Sequence, residues 1–525
     1  MRAAAFAVGW TRSLAVAATS VRPLCPGIEF VLGNGLCLAS RRGSHIRQNR
    51  SIAESDSVRG FVRTPVETVD FMVDKLFSRR PPTAESTILD PGCGTGNFIA
   101  GIIRWCETHG ISLPNITGVE LNPRHAETAK ERFSQCESVR IECRDFLTEY
   151  TPTYDYVVGN PPYVPITELE EEEKRRYRSL YATASGRFDL YLLFFEQSLR
   201  SLNPGGRLVL ITPEKFLYVE TAAPLRRLLT TRHLEEIHML QEDIFGDLVT
   251  YPTVTVLTNE IASTKTAVIL RDGRTIHVSV SDKGSSWLPE VNGKTPVDDG
   301  HTLIEICRRI SCGVATGADS IFVRPFVELE TALSHFAYPT LAGRELTSDN
   351  RQIQPRSCLL VPYALNGSLI GPGDLGALGV YLSRPQVRRR LEERTCVSRK
   401  PWYAFHETPV LHEILRPKIL CKDIASEPHF WIDRKGAIVP RHTVYYIVPR
   451  DPSRIDELAD YLNSPFAREW LHGYCQRASK GYLRIQSRIL KKLPIPLSLT
   501  KGTERNTTMK KVVARGESAV LEIAK

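Results

Sequence analysis

Thr87-Ile88-Leu89-Asp90-Pro91-Gly92-Cys93-Gly94-Thr95-Gly96, continuing into Asn97-Phe98-Ile99-Ala100-Gly101-Ile102-Ile103, decides the fold. A short apolar run ends at an acid, three glycines at alternate positions turn the chain, and apolar residues then recur with helical spacing at Phe98, Ile99, Ile102 and Ile103. The stretch therefore reads as a strand, a tight turn and a helix. Gly92, Gly94 and Gly96 let the backbone turn sharply and come close to a ligand, although helix-packing glycines give the same spelling.

Working outward, the same alternation continues on both sides. Upstream, Thr64-Pro65 precedes apolar residues at Val66, Val69, Met72, Val73 and Leu76, which predicts a helix capped by Thr64 with Pro65 in its first turn. Downstream, strands are expected at 116–119, ending at Glu120, at 139–142, before Asp145, at 154–158, ending at Asn160, and at 207–212. Helices are expected at 123–133 and 188–202, and 254–257 reads as one more strand. Strands alternating with helices predict a parallel, doubly wound sheet with right-handed crossovers, whose ligands bind beyond the carboxyl ends of the strands.

At 525 residues, two domains are the expectation, and 42% apolar with 24% charged residues is ordinary globular composition. The division expected is a disordered tail or over-extended gene start at 1–58, a catalytic domain at 59–260, a turn-rich linker at 261–300, a second domain at 301–500 and a polar tail at 501–525. The first 50 residues, with seven Arg and one Glu, resemble a transit peptide in composition, but the disordered reading is kept. Twelve cysteines are scattered with no CxxC pair and no His cluster, so thiols are expected to be reduced, with no metal site. No run of about 18 apolar residues occurs, so no membrane span is expected. Charge is asymmetric. Residues 51–300 carry 27 Lys and Arg against 36 Asp and Glu, whereas 301–525 carry 34 against 22, a balance suited to a polyanion partner or to a solvated basic face.

The residues closing successive strands have a common chemistry. Glu120 lies where a carboxylate accepts hydrogen bonds from both hydroxyls of a ribose. Asp145 suits an adenine amino group, with Phe146 to cover the ring. A dinucleotide needs a helix N-terminus for its pyrophosphate, whereas Asp90 suits the ammonium and sulfonium of S-adenosylmethionine. After the next strand comes Asn160-Pro161-Pro162-Tyr163. Two prolines hold this lip extended, so that the Asn160 amide oxygen and the Pro161 carbonyl can accept from one exocyclic NH2. Tyr163 would stack on the flat base that carries it.

The order Thr64-Pro65, Asp90-Pro91-Gly92-Cys93-Gly94-Thr95-Gly96, Glu120, Asp145-Phe146, Asn160-Pro161-Pro162-Tyr163 resembles the gamma-type, or Taq-type, adenine-N6 DNA methyltransferases. Gly313–Asp319, Leu341–Glu345, Trp402–His406 and Lys418–Leu420 resemble their C-terminal target-recognition domain. The resemblance implies a doubly wound, Rossmann-like S-adenosylmethionine-dependent methyltransferase domain followed by a mixed α/β target-recognition domain. It also implies that Thr64 helps to close the methionine end of the cofactor and that Phe245, in Asp243-Ile244-Phe245-Gly246, stacks on the far face of a flipped adenine. Arg388-Arg389-Arg390, Lys480, Lys491 and Lys492 are expected to meet phosphates. Double-stranded DNA, a monomeric enzyme, a separate restriction endonuclease and a cytoplasmic, nucleoid-associated setting complete the expectation. The alternatives are an RNA- or glutamine-directed enzyme of the same fold, a fusion with a nuclease, for which the segment before the fold looks too short, and a nucleic-acid-binding protein with an inactive methyltransferase domain.

Overall fold

The computed structural model describes residues 60–500 apart from 150, 246–250, 263–264, 295–299, 348–352 and 479–480, so the expected extension at 1–58, the tail at 501–525 and Lys480 lie outside the described residues. The chain divides between Ser285 and Ser286 into two units.

The first unit is a nine-stranded sheet with helices on it. Its strands are β1 (Thr87–Pro91), β2 (Asn115–Glu120), β3 (Val139–Cys143), β4 (Tyr154–Gly159), β5 (Leu202–Pro213), β6 (His233–Met239), β7 (Pro252–Thr258), β8 (Thr266–Ile269) and β9 (Thr275–Val278), in the order β3-β2-β1-β4-β5-β7-β6-β8-β9. From β3 to β5 every pairing is parallel. β7 then enters antiparallel between β5 and β6. The expected strand at 254–257 is therefore present, but it departs from the parallel sheet. β6 and β7 are consecutive strands that pair directly and antiparallel, an arrangement that needs no crossover helix between them.

Helices α1 (Val66–Phe77), α2 (Asn97–His109), α3 (Pro123–Arg132), α4 (Glu171–Leu180), α5 (Leu190–Arg200) and α6 (Ala223–Leu229) complete the unit. α1 and α2 turn Val69, Met72, Val73, Ile99, Ile102 and Ile103 into one buried cluster with Ile88, Tyr156 and Val158 of the sheet. Thr64 does not cap α1. The residue at the cap is Pro65, with no side-chain hydrogen bond, because the Thr64 hydroxyl is engaged elsewhere, as described below.

The expected linker at 261–300 is largely structured. Residues 266–269 and 275–278 form the β8–β9 hairpin, turning at Asp272-Gly273, and β8 pairs in parallel with β6. The turn-rich spelling marks a hairpin at the sheet edge, which looks like a linker when the short strands around it go unseen. Residues 288–291 are helical and belong to the second unit.

The second unit holds a four-stranded antiparallel sheet, with strand order 307–312, 444–449, 418–422, 430–433, and two three-stranded sheets. Helices Gly376–Leu382, Pro385–Glu392, Ile455–Leu462 and Pro465–Tyr474 pack with them. It is a mixed α/β domain. Nine cysteines among the described residues are free. No described helix is long and apolar enough to cross a membrane, and no cluster of metal-ligating residues occurs among the described residues.

Candidate active site

Strand order creates the site. β1 lies between β2 and β4, and the register Ile88↔Tyr156, Leu89↔Val157 brings the end of β1 beside the end of β4, although the two are some seventy residues apart in sequence. Chain direction across the sheet reverses here, which is where parallel α/β sheets bind ligands. A cleft of about 430 Å³ opens at this point, within the size range of small-molecule sites.

Beyond β1, Gly92, Gly94 and Gly96 all take positive φ, 74°, 54° and 82°. The turn is tied to β2 by the amides of Gly92 and Cys93, both donating to the Val119 carbonyl. At Gly96 a Cβ would fall 2.3 Å from the Phe133 ring, so the turn tolerates no side chain there. The Gly94 amide donates to Glu120 Oε2 at 2.8 Å, and the Asn122 amide donates to Oε1 at 2.8 Å. Two backbone donors thus fix the Glu120 carboxylate at the cleft wall with acceptor capacity left over. Asn122 also caps α3, accepting from the amides of Arg124 and His125.

Asp90 lies beneath the turn with no exposed surface. Both of its carboxylate oxygens are buried without a hydrogen-bond partner. Burial, and then the nearby Glu120 charge, push its pKa well above the usual carboxylate range. A buried acid left unpaired is costly, and a cationic ligand group is the partner that would offset this.

Asp145 follows β3 and caps its own turn, taking the Leu147 amide at 2.9 Å and the Thr148 hydroxyl at 2.7 Å. Phe146 is buried against Phe194, ring centroids 5.3 Å apart. Asp145 and Phe146 both line the cleft, with Thr64, Gly92, Glu120, Asn160 and Pro162. Asp90, with no exposed surface, is not among the lining residues; those that are fit S-adenosylmethionine, with an oriented carboxylate for a ribose and an acid with an aromatic face for adenine. When bound, that cofactor supplies an electrophilic methyl group.

The lip after β4 is anchored at its first residue. Asn160 Nδ2 donates to the Val62 carbonyl at 3.0 Å and to Thr64 Oγ1 at 3.1 Å. Both amide hydrogens are used, while Oδ1 is buried with no partner. Pro161 is buried and Pro162 half-buried. The Tyr163 amide donates to the Gly60 carbonyl at 3.3 Å and its hydroxyl to the Ile211 carbonyl at 3.4 Å, while burial raises its pKa. Phe245 is brought to Tyr163, ring centroids 6.2 Å apart at 72°. Neither ring is among the residues that line the cleft.

Several cleft residues escaped the sequence reading. Phe61, 44% exposed, packs on His125 with centroids 4.7 Å apart and lies over Gly94. Leu121, 67% exposed, follows Glu120 at the rim. For Leu121 the signal available was an apolar residue just past a strand end, outside both the strand and the helix that follows.

In the second unit the four C-terminal motifs converge on buried polar contacts. Arg394 donates to the carbonyls of Thr316, Trp402 and Ala404. Arg441 pairs with Glu345, which also accepts the Ala342 amide. Lys418 pairs with Asp433 at 2.6 Å with no exposed surface. Of the expected phosphate contacts, Arg388 and Arg389 are ion-paired to Glu392 and Glu393, whereas Arg390, Lys491 and Lys492 are exposed.

Residues 114–245 match the family described as Eco57I restriction-modification methylase, and residues 365–495 match the TaqI-like C-terminal specificity domain. The chain is similar to the Type II methyltransferase M.PaeR7I of Pseudomonas aeruginosa, with 27% identity covering 83% of this chain and 86% of that protein. It is also similar to M.XhoI of Xanthomonas vasicola, 25% identical over 83% and 91%, and to M.BstVI of Geobacillus stearothermophilus, 26% identical over 88% and 95%.

Proposed function

We propose that this chain, a Taq-type methyltransferase in which a methylase domain is followed by a C-terminal specificity domain, methylates the exocyclic N6 amino group of adenine in double-stranded DNA at a specific sequence. The observation that carries this reading is Asn160 Oδ1, a buried acceptor without a partner on an amide whose two hydrogens are already taken. An amino group with two hydrogens matches Asn160 Oδ1 together with the Pro161 carbonyl. As the nitrogen lone pair leaves ring conjugation to attack carbon, positive charge builds on nitrogen. Two fixed acceptors stabilise that charge more in the transition state than in the ground state. The product nitrogen is acidic enough to lose its proton without a strong base.

The remaining groups bind and orient. Asp90 pairs with the cationic end of the cofactor, Glu120 with its ribose, and Asp145 and Phe146 with its adenine. A paired adenine cannot bring its amino group to the floor of a cleft from within the stack, so the nucleotide must flip out. Tyr163 and Phe245 are the rings proposed to receive it. The match to a restriction-modification methylase with a specificity domain, and the basic balance of 301–525, favour DNA over RNA or a protein glutamine. On this reading the protein works as a monomer in the cytoplasm, near the nucleoid, in modification beside a separate endonuclease.

The test is to incubate the protein with labelled cofactor and unmethylated DNA, RNA or protein, then to digest labelled DNA to nucleosides. Label in N6-methyldeoxyadenosine is expected. Label confined to N4-methyldeoxycytidine, RNA or protein would overturn the assignment.

A further inference from the structure

The segment 60–64 and the lip 160–163 are held together by three hydrogen bonds. The Tyr163 amide donates to the Gly60 carbonyl, and Asn160 Nδ2 donates to the Val62 carbonyl and to Thr64 Oγ1. An asparagine amide has nearly the same shape either way round. Turned over, Asn160 would offer two donors to a substrate amino group that is itself a donor. The Val62 carbonyl, which can only accept, opposes that turn, and the Thr64 hydroxyl supplies the second anchor. Thr64 is 4% exposed, and the proline that follows restricts its backbone to extended conformations.

We propose that Thr64 is a positioning residue for Asn160. It takes one amide hydrogen and so, with Val62, keeps Oδ1 directed at the acceptor nitrogen. This rests on the reading of Asn160 as the acceptor for the target amino group, and it differs from a role in closing the cofactor pocket, which Thr64 also lines. The two roles separate kinetically. Loss of a cofactor contact raises the KM for cofactor, whereas loss of amide orientation lowers kcat.

The experiment uses the full chain, S-adenosylmethionine and unmethylated random-sequence DNA, with Thr64→Val, Thr64→Ser, Asn160→Ala and the Thr64→Val/Asn160→Ala double variant. Thr64→Val is expected to lower kcat about tenfold to a hundredfold, the rate equivalent of one buried donor left unpaired, with the cofactor KM changed less than about threefold. Thr64→Ser, which keeps the hydroxyl, is expected to retain kcat within about threefold, and the double variant to be no slower than Asn160→Ala alone. Thermal melting and cofactor binding of each variant report folding separately. The proposal is overturned if Thr64→Val keeps its kcat, if its loss falls only on the cofactor KM, or if Thr64→Ser is as slow as Thr64→Val. If Asn160→Ala is fully active, the reading of Asn160 fails and this proposal fails with it. A slow Asn160→Ala beside an undiminished Thr64→Val removes only the positioning role.

Discussion

Asp90 is in an unfavourable place for the protein alone and a useful one for a cationic ligand. Its pKa in the fold lies well above its value in the unfolded chain, so the folded state holds the proton more tightly. Below the unfolded value both states are protonated and Asp90 costs nothing. As pH rises the unfolded chain ionises first, and stability falls until the folded value is passed. Asp90→Asn is therefore expected to stabilise the ligand-free protein near neutral pH by on the order of 1 kcal/mol, because it removes an uncompensated buried acid. The same change is expected to weaken cofactor binding about tenfold or more, the worth of a charged hydrogen bond. Thermal melting and calorimetric titration of one preparation check both halves, and a variant that loses stability while keeping affinity contradicts the account. Asn160→Ala is expected to lower methyl transfer about a hundredfold or more while cofactor binding stays within about tenfold, as for a group acting on the acceptor.

At the scale of elements, the C-terminal motifs act as joints. Arg394 ties the segment after Gly313 to the segment 402–406 by three carbonyls, in addition to its own turn at Leu391. Gly313 itself sits where a Cβ would fall 2.4 Å from the Arg441 carbonyl oxygen. These residues hold loops at fixed spacing. Arg394→Ala is expected to destabilise the second unit by roughly 3 kcal/mol or more, since several carbonyls lose a charged donor together. Arg394→Lys is expected to rescue little, because an ammonium does not reproduce the planar fork. Differential scanning calorimetry checks this. Cofactor affinity, a property of the first unit, should stay within about threefold, and a loss there would contradict the assignment. The element missed in the sequence, the β8–β9 hairpin, shows the converse case. Its four-residue strands are too short to outweigh the turn residues between them, and only pairing, of β8 with β6 and of β9 with β8, makes them strands.

For the molecule as a whole, the uneven charge has a measurable consequence. If residues 301–525, with 34 basic against 22 acidic residues, contact DNA phosphates, binding to DNA must release counterions. A fourfold rise in salt is then expected to weaken DNA binding about tenfold or more while cofactor affinity changes little, and equal salt slopes for the two ligands in titrations would count against a DNA partner. The sequence by itself determined the local alternation of strand, turn and helix, the glycine turn and the proline-stiffened lip. Each of these follows from spacing or from allowed φ values within a few residues. It also marked Asp90, Glu120, Asp145 and Asn160 as strand-end residues, because a strand's apolar run has a visible end. Only the tertiary structure decided that β1 and β4 are neighbours, that β7 runs antiparallel to β5 and β6, and that the Thr64 hydroxyl serves Asn160 instead of capping α1. A hydroxyl before a helix has several possible partners, and which one it takes depends on what the sheet brings within hydrogen-bonding distance across about a hundred residues of chain.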